Sequence, residues 1–234
     1  MADIYLINSQ DLDPGALNAD NSWLSTKELQ TQHALTNPKR RHEYLVSRLL
    51  LRQLLAKRCN CHPSDLRFIH NPYGRPQLAD SSLSFNLSHS GDTLVLAIAD
   101  EGQVGVDIEC KPRPRDPLNI ARRFFCESEQ RMLEQLSLQQ RTQSFYQLWT
   151  LKEALLKSHG QGLNAGLNKV ELSLSTPLKL TNYLDKHQYH LALWQLDTGY
   201  LAACQRDSLP QWQLHKITAD LKCQPVALPL LTQS

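Results

Sequence analysis

Residues 104–109 read VGVDIE. Successive side chains of an extended strand point to opposite faces, so Val104, Val106 and Ile108 would face one way, and Asp107 and Glu109 the other. Two like charges at i and i+2 repel unless water or a cation lies between them. The pattern therefore reads either as a half-exposed strand with a solvated polar face or as a site for a hard cation. Mg2+ is such a cation: it takes oxygen ligands and keeps waters and substrate phosphates in its shell. A second group lies in WTLKEALLK, residues 149–157. Trp149, Glu153 and Lys157 are four apart and share a helical face. Glu153 and Lys157 could form a surface pair worth ~0.3–0.5 kcal/mol. They could also supply a third carboxylate for the cation and an ammonium for a phosphate.

A third stretch, FNLSHSGD at 85–92, ends a strand in Ser88, His89, Ser90 and Gly91. Hydroxyls, an imidazole and a Gly-bordered turn can donate to an anion, or His89 can be a structural strand-end residue. Ser/His nucleophilic catalysis fits poorly, because adjacent strand residues point apart and no G-x-S-x-G elbow is present. The fourth is YGRP at 73–76, with Arg48 and Arg52 nearby on a long helix. Arginine in such a loop can take phosphate as a fork, though each alone is an ordinary surface residue. CNCH at 59–62 has no second pair at structural-zinc spacing.

The elements that must hold these groups follow from local pattern. DIYLI reads as a strand and SWLSTKELQTQHAL as a short helix. Asn37 is a candidate N-cap and Pro38 suits the first helical position of KRRHEYLVSRLLLRQLLAKR. HNPYGRPQL reads as loop by its Pro and Gly. LSFNLS, TLVLAIA and VGVDIEC read as strands, and DEGQ between the last two signals a hairpin. KPRPRDP breaks the pattern as a linker. LNIARRFF, ESEQRMLEQL and TQSFYQLWTLKEALLKSH read as helices, the last ended by Gly160, Gly162 and Gly166. NKVELSLS, QYHLALWQL, YLAAC and QWQLHKI read as strands. Each half thus offers helix and then strands, which predicts an α+β protein with an N-terminal lobe at 1–112 and a C-terminal lobe at 113–234.

The 234 residues are 41% hydrophobic and 21% charged, an ordinary globular balance that supports a sizeable core. A net charge of +2 is not the bulk basicity of a general nucleic-acid binder. MADIYLINSQ has no basic segment or long apolar run, so no secretory signal is expected. Runs such as LVLAIA are too short to span a bilayer. Six scattered cysteines fit reduced thiols of a cytoplasmic protein.

Taken in order, these stretches resemble the 4'-phosphopantetheinyl transferases, of the larger two-lobed type that serves surfactin-type synthetases. The resemblance is carried by Gly74-Arg75-Pro76, by Phe85 to His89, by Gly105 to Glu109 and by Trp149 to Lys157. It runs from about Arg40 to about Ser175. W-x-x-K-E-A-x-x-K is complete; Arg75 stands where many members have lysine. The resemblance implies two similar α/β lobes related by a pseudo-twofold axis, with coenzyme A and Mg2+ in the cleft between them. It implies transfer of phosphopantetheine to a serine of an apo acyl or peptidyl carrier protein in fatty acid, polyketide or nonribosomal peptide synthesis, releasing adenosine 3',5'-bisphosphate. Asp107, Glu109 and Glu153 would hold the metal. Glu153, Lys157, Asp107 and His89 would act in catalysis, with Glu153 the best candidate to accept the serine proton. Lys157, His89 and Ser88 would meet coenzyme A phosphates with Lys152 nearby, while Arg48, Arg75 and Pro76 would bind the nucleotide end. Glu129 matches a family glutamate whose role is open. Carrier proteins are acidic around their serine, so Arg113, Arg115, Arg122 and Arg123 are expected to steer them. A monomer is expected, with no nucleic-acid or membrane partner. The competing readings are another Mg-dependent nucleotide phosphotransferase and a non-catalytic carrier-binding relative.

Overall fold

The computed structural model describes residues 1–18, 21–110 and 116–234. Among these residues there are six α-helices: α1 (Pro14–Leu17), α2 (Thr26–Ala34), α3 (Pro38–Cys59), α4 (Pro117–Phe124), α5 (Glu127–Gln135) and α6 (Leu138–His159). In the first half the strands are β1 (Ala2–Asn8), β2 (Phe68–His70), β3 (Pro76–Leu78), β4 (Ser84–Ser90), β5 (Thr93–Ala99) and β6 (Gln103–Glu109). The second half holds β7 (Val170–Ser173), β8 (Lys179–Asn182), β9 (Tyr189–Leu196), β10 (Gly199–Arg206), β11 (Trp212–Ile217), β12 (Cys223–Pro225) and β13 (Leu230–Gln233).

The long helices begin and end on local chemistry. Asn37 Oδ1 accepts from the Arg40 amide at 3.1 Å and Pro38 takes the first turn of α3, where its missing N–H costs nothing. A capping box between Ser25 and Glu28 opens α2. Gly160, at φ +91°, ends α6 in the left-handed conformation that glycine adopts without strain.

A five-stranded sheet runs β12-β11-β1-β5-β4 and a four-stranded sheet runs β13-β9-β10-β6. The layers are α3, first sheet, second sheet, α6, with an apolar core in each gap. Leu49, Leu50 and Leu55 of α3 meet Leu94, Leu96 and Ile98. Between the sheets, Ile4, Val95 and Ala97 meet Val104, Val106 and Ile108. Leu148, Leu151 and Leu155 of α6 meet Leu191, Leu193 and Ala202. The alternation in VGVDIE is thus realised: its apolar residues face the inter-sheet core, and Gly105, Asp107 and Glu109 fall on the α6 side.

Two pairings differ from the local reading. The turn after β5 is present, but β6 does not continue the first sheet as a hairpin; it pairs antiparallel with β10. Conversely β11, late in the chain, lies parallel to β1. The two sheets therefore interchange strands, and the expected 112/113 boundary falls at residues outside those described. HNPYGRPQL is a small hairpin of β2 and β3 around Asn71–Arg75 rather than plain loop.

The seam between the sheets explains the serine-rich β4. β4 and β6 are edge strands of their respective sheets, and side chains of β4 replace a backbone ladder. Ser84 Oγ accepts from Val104 N (2.9 Å), Asn86 Oδ1 from Val106 N (2.9 Å) and Ser90 Oγ from Cys110 N (3.0 Å). Every second residue of β4 thus faces β6, which aims Ser88 at Asp107.

Candidate active site

Asp107 lies near the end of β6, only 6% exposed. Its Oδ1 accepts from Lys157 Nζ at 2.7 Å and from Ser88 Oγ at 2.8 Å, and Lys157 also donates to Ser88 Oγ at 2.8 Å. Its Oδ2 is buried and has no partner. Helix α6 brings Lys157, and one turn earlier Glu153, to this point. The approach depends on Gly105: a Cβ there would stand 2.1 Å from the Ala154 carbonyl and 2.4 Å from the Ser158 nitrogen. No other residue lets α6 lie that close to β6.

Burial, the Asp107 charge and, less strongly, Glu109 push the Glu153 carboxyl up to about 7, with Lys157 opposing. The three acids expected to act together are thus electrostatically coupled. Among the described residues, no three His, Cys, Asp or Glu side chains already form a metal cage; Lys157 holds one Asp107 oxygen. The donors nonetheless fit a hard cation. All are carboxylate oxygens, one is buried without a partner, and the acids repel one another.

On the other side of β4, His89 points away from Ser88, as strand alternation requires. It lines a cavity of about 440 Å3 with Arg40, Tyr44 and Arg48. Arg48 also borders a cavity of about 650 Å3 that reaches Lys27, His70 and Pro76. Its guanidinium lies over the Tyr44 ring at 5.3 Å, and its Nε is buried without a partner. Arg40 and Tyr44 were not foreseen as site residues, although Arg40, Tyr44 and Arg48 are spaced four apart on α3 and share a face.

Three residues expected at the site are engaged within the fold. Lys152 does not join Asp107 and Lys157: it is wholly buried, 2.7 Å from Glu129 Oε2, and donates to the Leu167 carbonyl at 2.9 Å and to that of Val170. Glu129 also accepts from the Cys126 and Leu172 amides (3.0 and 2.8 Å), so this pair ties α5, α6 and β7 together. Arg75 does not reach into either cavity beside Arg48, because its donors are held by acceptors of its own chain. Arg52 is likewise buried, against Glu28 at 2.6 Å.

Near the start of the α6 face, Trp149 packs against Phe145 and Phe125, and Phe124 meets it edge-on at 6.4 Å. Arg122 pairs with Glu134, while Arg123 lies over the Phe124 ring at 5.5 Å. Arg113 and Arg115 lie outside the described residues.

A lysine and a carboxylate of α6 thus face an acid of β6, beside the seam of two sheets and with basic cavities on the other face of β4. Comparison with known proteins identifies the family. Residues 17–101 match the family model of the 4'-phosphopantetheinyl transferase N-terminal region, and residues 103–205 match that of the 4'-phosphopantetheinyl transferase superfamily. Over 187 residues the chain is 30% identical to the 4'-phosphopantetheinyl transferase Sfp of Bacillus subtilis, covering 78% of this chain and 82% of that one. It is 34% identical over 163 residues to the 4'-phosphopantetheinyl transferase HetI of Nostoc sp. (67% and 68% covered). It is 41% identical over 151 residues to a provisionally named 4'-phosphopantetheinyl transferase of Synechocystis sp., spanning 63% of this chain and 61% of that protein. The chain belongs to the 4'-phosphopantetheinyl transferase family, a family of transferases.

Proposed function

We propose that the chain transfers the 4'-phosphopantetheine group of coenzyme A to a serine of an apo acyl or peptidyl carrier protein, in a Mg2+-dependent reaction that releases adenosine 3',5'-bisphosphate. The observation that carries this reading is the Asp107–Lys157–Ser88 contact beside Glu153, at the end of an edge strand whose other face opens on basic cavities. An elongated anionic ligand can lie over that edge. Its nucleotide end would meet Arg48, Tyr44 and His89, and its diphosphate would meet Ser88 and Lys157.

Asp107, Glu109 and Glu153 would hold the cation. Bound there, Mg2+ would neutralise charge on phosphate oxygens and orient the leaving group. Lys157, released from Asp107, would donate to the diphosphate where negative charge grows. The serine oxygen forms the new P–O bond, and the old bridging oxygen departs with the adenosine bisphosphate. The serine proton passes to Glu153, directly or through water. A carboxyl tuned near neutral pH is matched to that task.

Arg123 and Phe124, beside Trp149, offer a basic and apolar patch to an acidic carrier. Both sheets contribute to the site, so one copy suffices and a monomer is the working form. Among the described residues all six cysteines are free thiols and no helix is long and apolar enough to cross a membrane. The test is to mix the protein with coenzyme A, Mg2+ and several apo carrier proteins and weigh the carriers intact. A gain of one phosphopantetheine on at least one carrier, lost with chelator, is expected. Hydrolysis of coenzyme A without a modified carrier would overturn the reading.

A further inference from the structure

The last turn of α6 ends with carbonyls that have no partner within the helix. In this chain, side chains from outside the helix meet them one after another. Arg75 Nη1 donates to the Lys157 and Ser158 carbonyls at 2.5 and 2.9 Å. Arg206 Nη1 donates to the His159 carbonyl at 3.3 Å, and Asn71 Nδ2 to the Gly160 carbonyl at 2.8 Å. Two guanidinium charges thus sit at the negative end of the helix dipole.

Arg75 also reaches the seam. Its Nη2 donates to Ser84 Oγ (3.1 Å) and to the Val104 carbonyl (2.8 Å). Ser84 is the same residue that accepts from the Val104 amide. One side chain therefore joins the end of α6 to β4 and to the start of β6, the strand that carries Asp107. The hairpin is shaped for this. Asn71 Oδ1 accepts from the amides of Tyr73 and Arg75, both at 2.9 Å, and Gly74 turns the chain at φ +86°.

We propose that Arg75, assisted by Asn71, is a positioning residue: it fixes α6 lengthwise against the seam so that Lys157 and Glu153 meet Asp107. It acts through α6 and touches no substrate. The proposal rests on the transferase reading for its kinetic consequence only; the clamp itself is a property of the chain. Small displacements at a reacting centre cost about 10²-fold in rate, while a ligand lost from the nucleotide end would appear in KM.

The test compares Arg75→Gln, Arg75→Lys and Asn71→Ala with the parent. Steady-state kinetics are measured with coenzyme A varied, rates are expressed per folded molecule, and amide hydrogen exchange of the last α6 turn is followed without ligand. Arg75→Gln should lower kcat by about 10- to 100-fold with KM for coenzyme A within about threefold. Arg75→Lys should recover most of the loss, since an ammonium also donates to carbonyls. Exchange at residues 158–162 should quicken in Arg75→Gln and, less so, in Asn71→Ala. A large rise in KM at constant kcat would make Arg75 a nucleotide ligand and overturn the proposal, as would an unchanged kcat per folded molecule. Unchanged exchange would overturn the clamp even if the parent modifies no carrier, the result that would instead sink the transferase reading. If Arg75→Gln does not fold, Asn71→Ala carries the same readouts.

Discussion

Helix α6 carries two lysines that each meet a carboxylate, and the two pairs behave differently. Lys152 and Glu129 are both buried, and their polar atoms are shared among backbone amides and carbonyls of three elements. Lys157 and Asp107 are less enclosed, with side chains 24% and 8% exposed. There the charges do not balance: one ammonium faces Asp107 and Glu153, and one Asp107 oxygen is orphaned. A closed, fully satisfied pair is a fastening. A half-open pair with surplus like charge is poised to exchange partners, which is what a ligand site requires.

Breaking the closed pair should have the largest effect. Glu129→Ala leaves Lys152 charged and enclosed, at a cost of about 3–5 kcal/mol. Urea unfolding should show a correspondingly lower midpoint, and the paired replacement Glu129→Leu with Lys152→Met should recover much of it. A midpoint unchanged in Glu129→Ala would mean that the pair fastens nothing. The open pair should respond in the opposite currency. Asp107→Asn removes a like charge from the acid group, so stability should hold, while kcat falls roughly 10²–10³-fold, as for other preorganised electrostatic groups. Full activity in Asp107→Asn would remove Asp107 from the site.

Much of this contrast was legible in the sequence, and the rest depends on distant contacts. Spacing of four placed Trp149, Glu153 and Lys157 on one face, and the i, i+2 acids of β6 fell on the side that meets α6. The same arithmetic turns Lys152 away from Lys157, since five residues is about 140° around a helix of ~3.6 residues per turn, yet the family resemblance had drawn Lys152 toward the coenzyme A phosphates. Asn37 and Pro38 announced the start of α3. What periodicity does not carry is the identity of a neighbour. The turn after β5 was readable, but whether β6 rejoined that sheet or paired with β10 was settled by packing of residues a hundred positions apart. Arg75 has the same history. A Gly-Arg-Pro loop suits an anion as well as it suits helix-end carbonyls, and only the fold brings the end of α6 to it.

Glu153 sharpens the comparison through pH. Its carboxyl is held at about 7 in the folded protein, against an ordinary value of 4.5, so the folded state keeps a proton that the unfolded state has lost. Below pH 4.5 both states are protonated and the group is neutral to stability relative to Gln. As pH rises toward 7, the unfolded state gains from ionisation and folding weakens. Glu153→Gln should therefore be more stable than the parent at pH 8, by roughly 1–3 kcal/mol, with the gain fading as pH falls to 4.5. Added Mg2+ should shrink the difference by stabilising the parent alone. Melting curves across pH test this, and a gain that is the same at pH 8 and pH 4.5 would break the assignment of Glu153 to the strained, open group.

The smallest effect carries the paired-versus-open contrast to the surface. Arg122 is already bonded to Glu134 at 2.9 Å, whereas Arg123 is seated over Phe124. A guanidinium neutralised within its own chain has little field left to attract an acidic partner, and one stacked on an aromatic ring keeps its charge. Long-range steering weakens as salt shortens the screening length to about 8 Å at physiological ionic strength. Transfer at low carrier concentration should therefore slow as salt rises. Arg123→Glu should lower kcat/KM for the carrier by about three- to tenfold at low salt and flatten the salt dependence. Arg122→Glu should do so more weakly, and neither should change KM for coenzyme A. Equal effects of the two reversals would show that internal pairing does not decide which arginine the carrier feels. No effect of either, with a salt-independent rate, would remove the end of α4 from the docking surface.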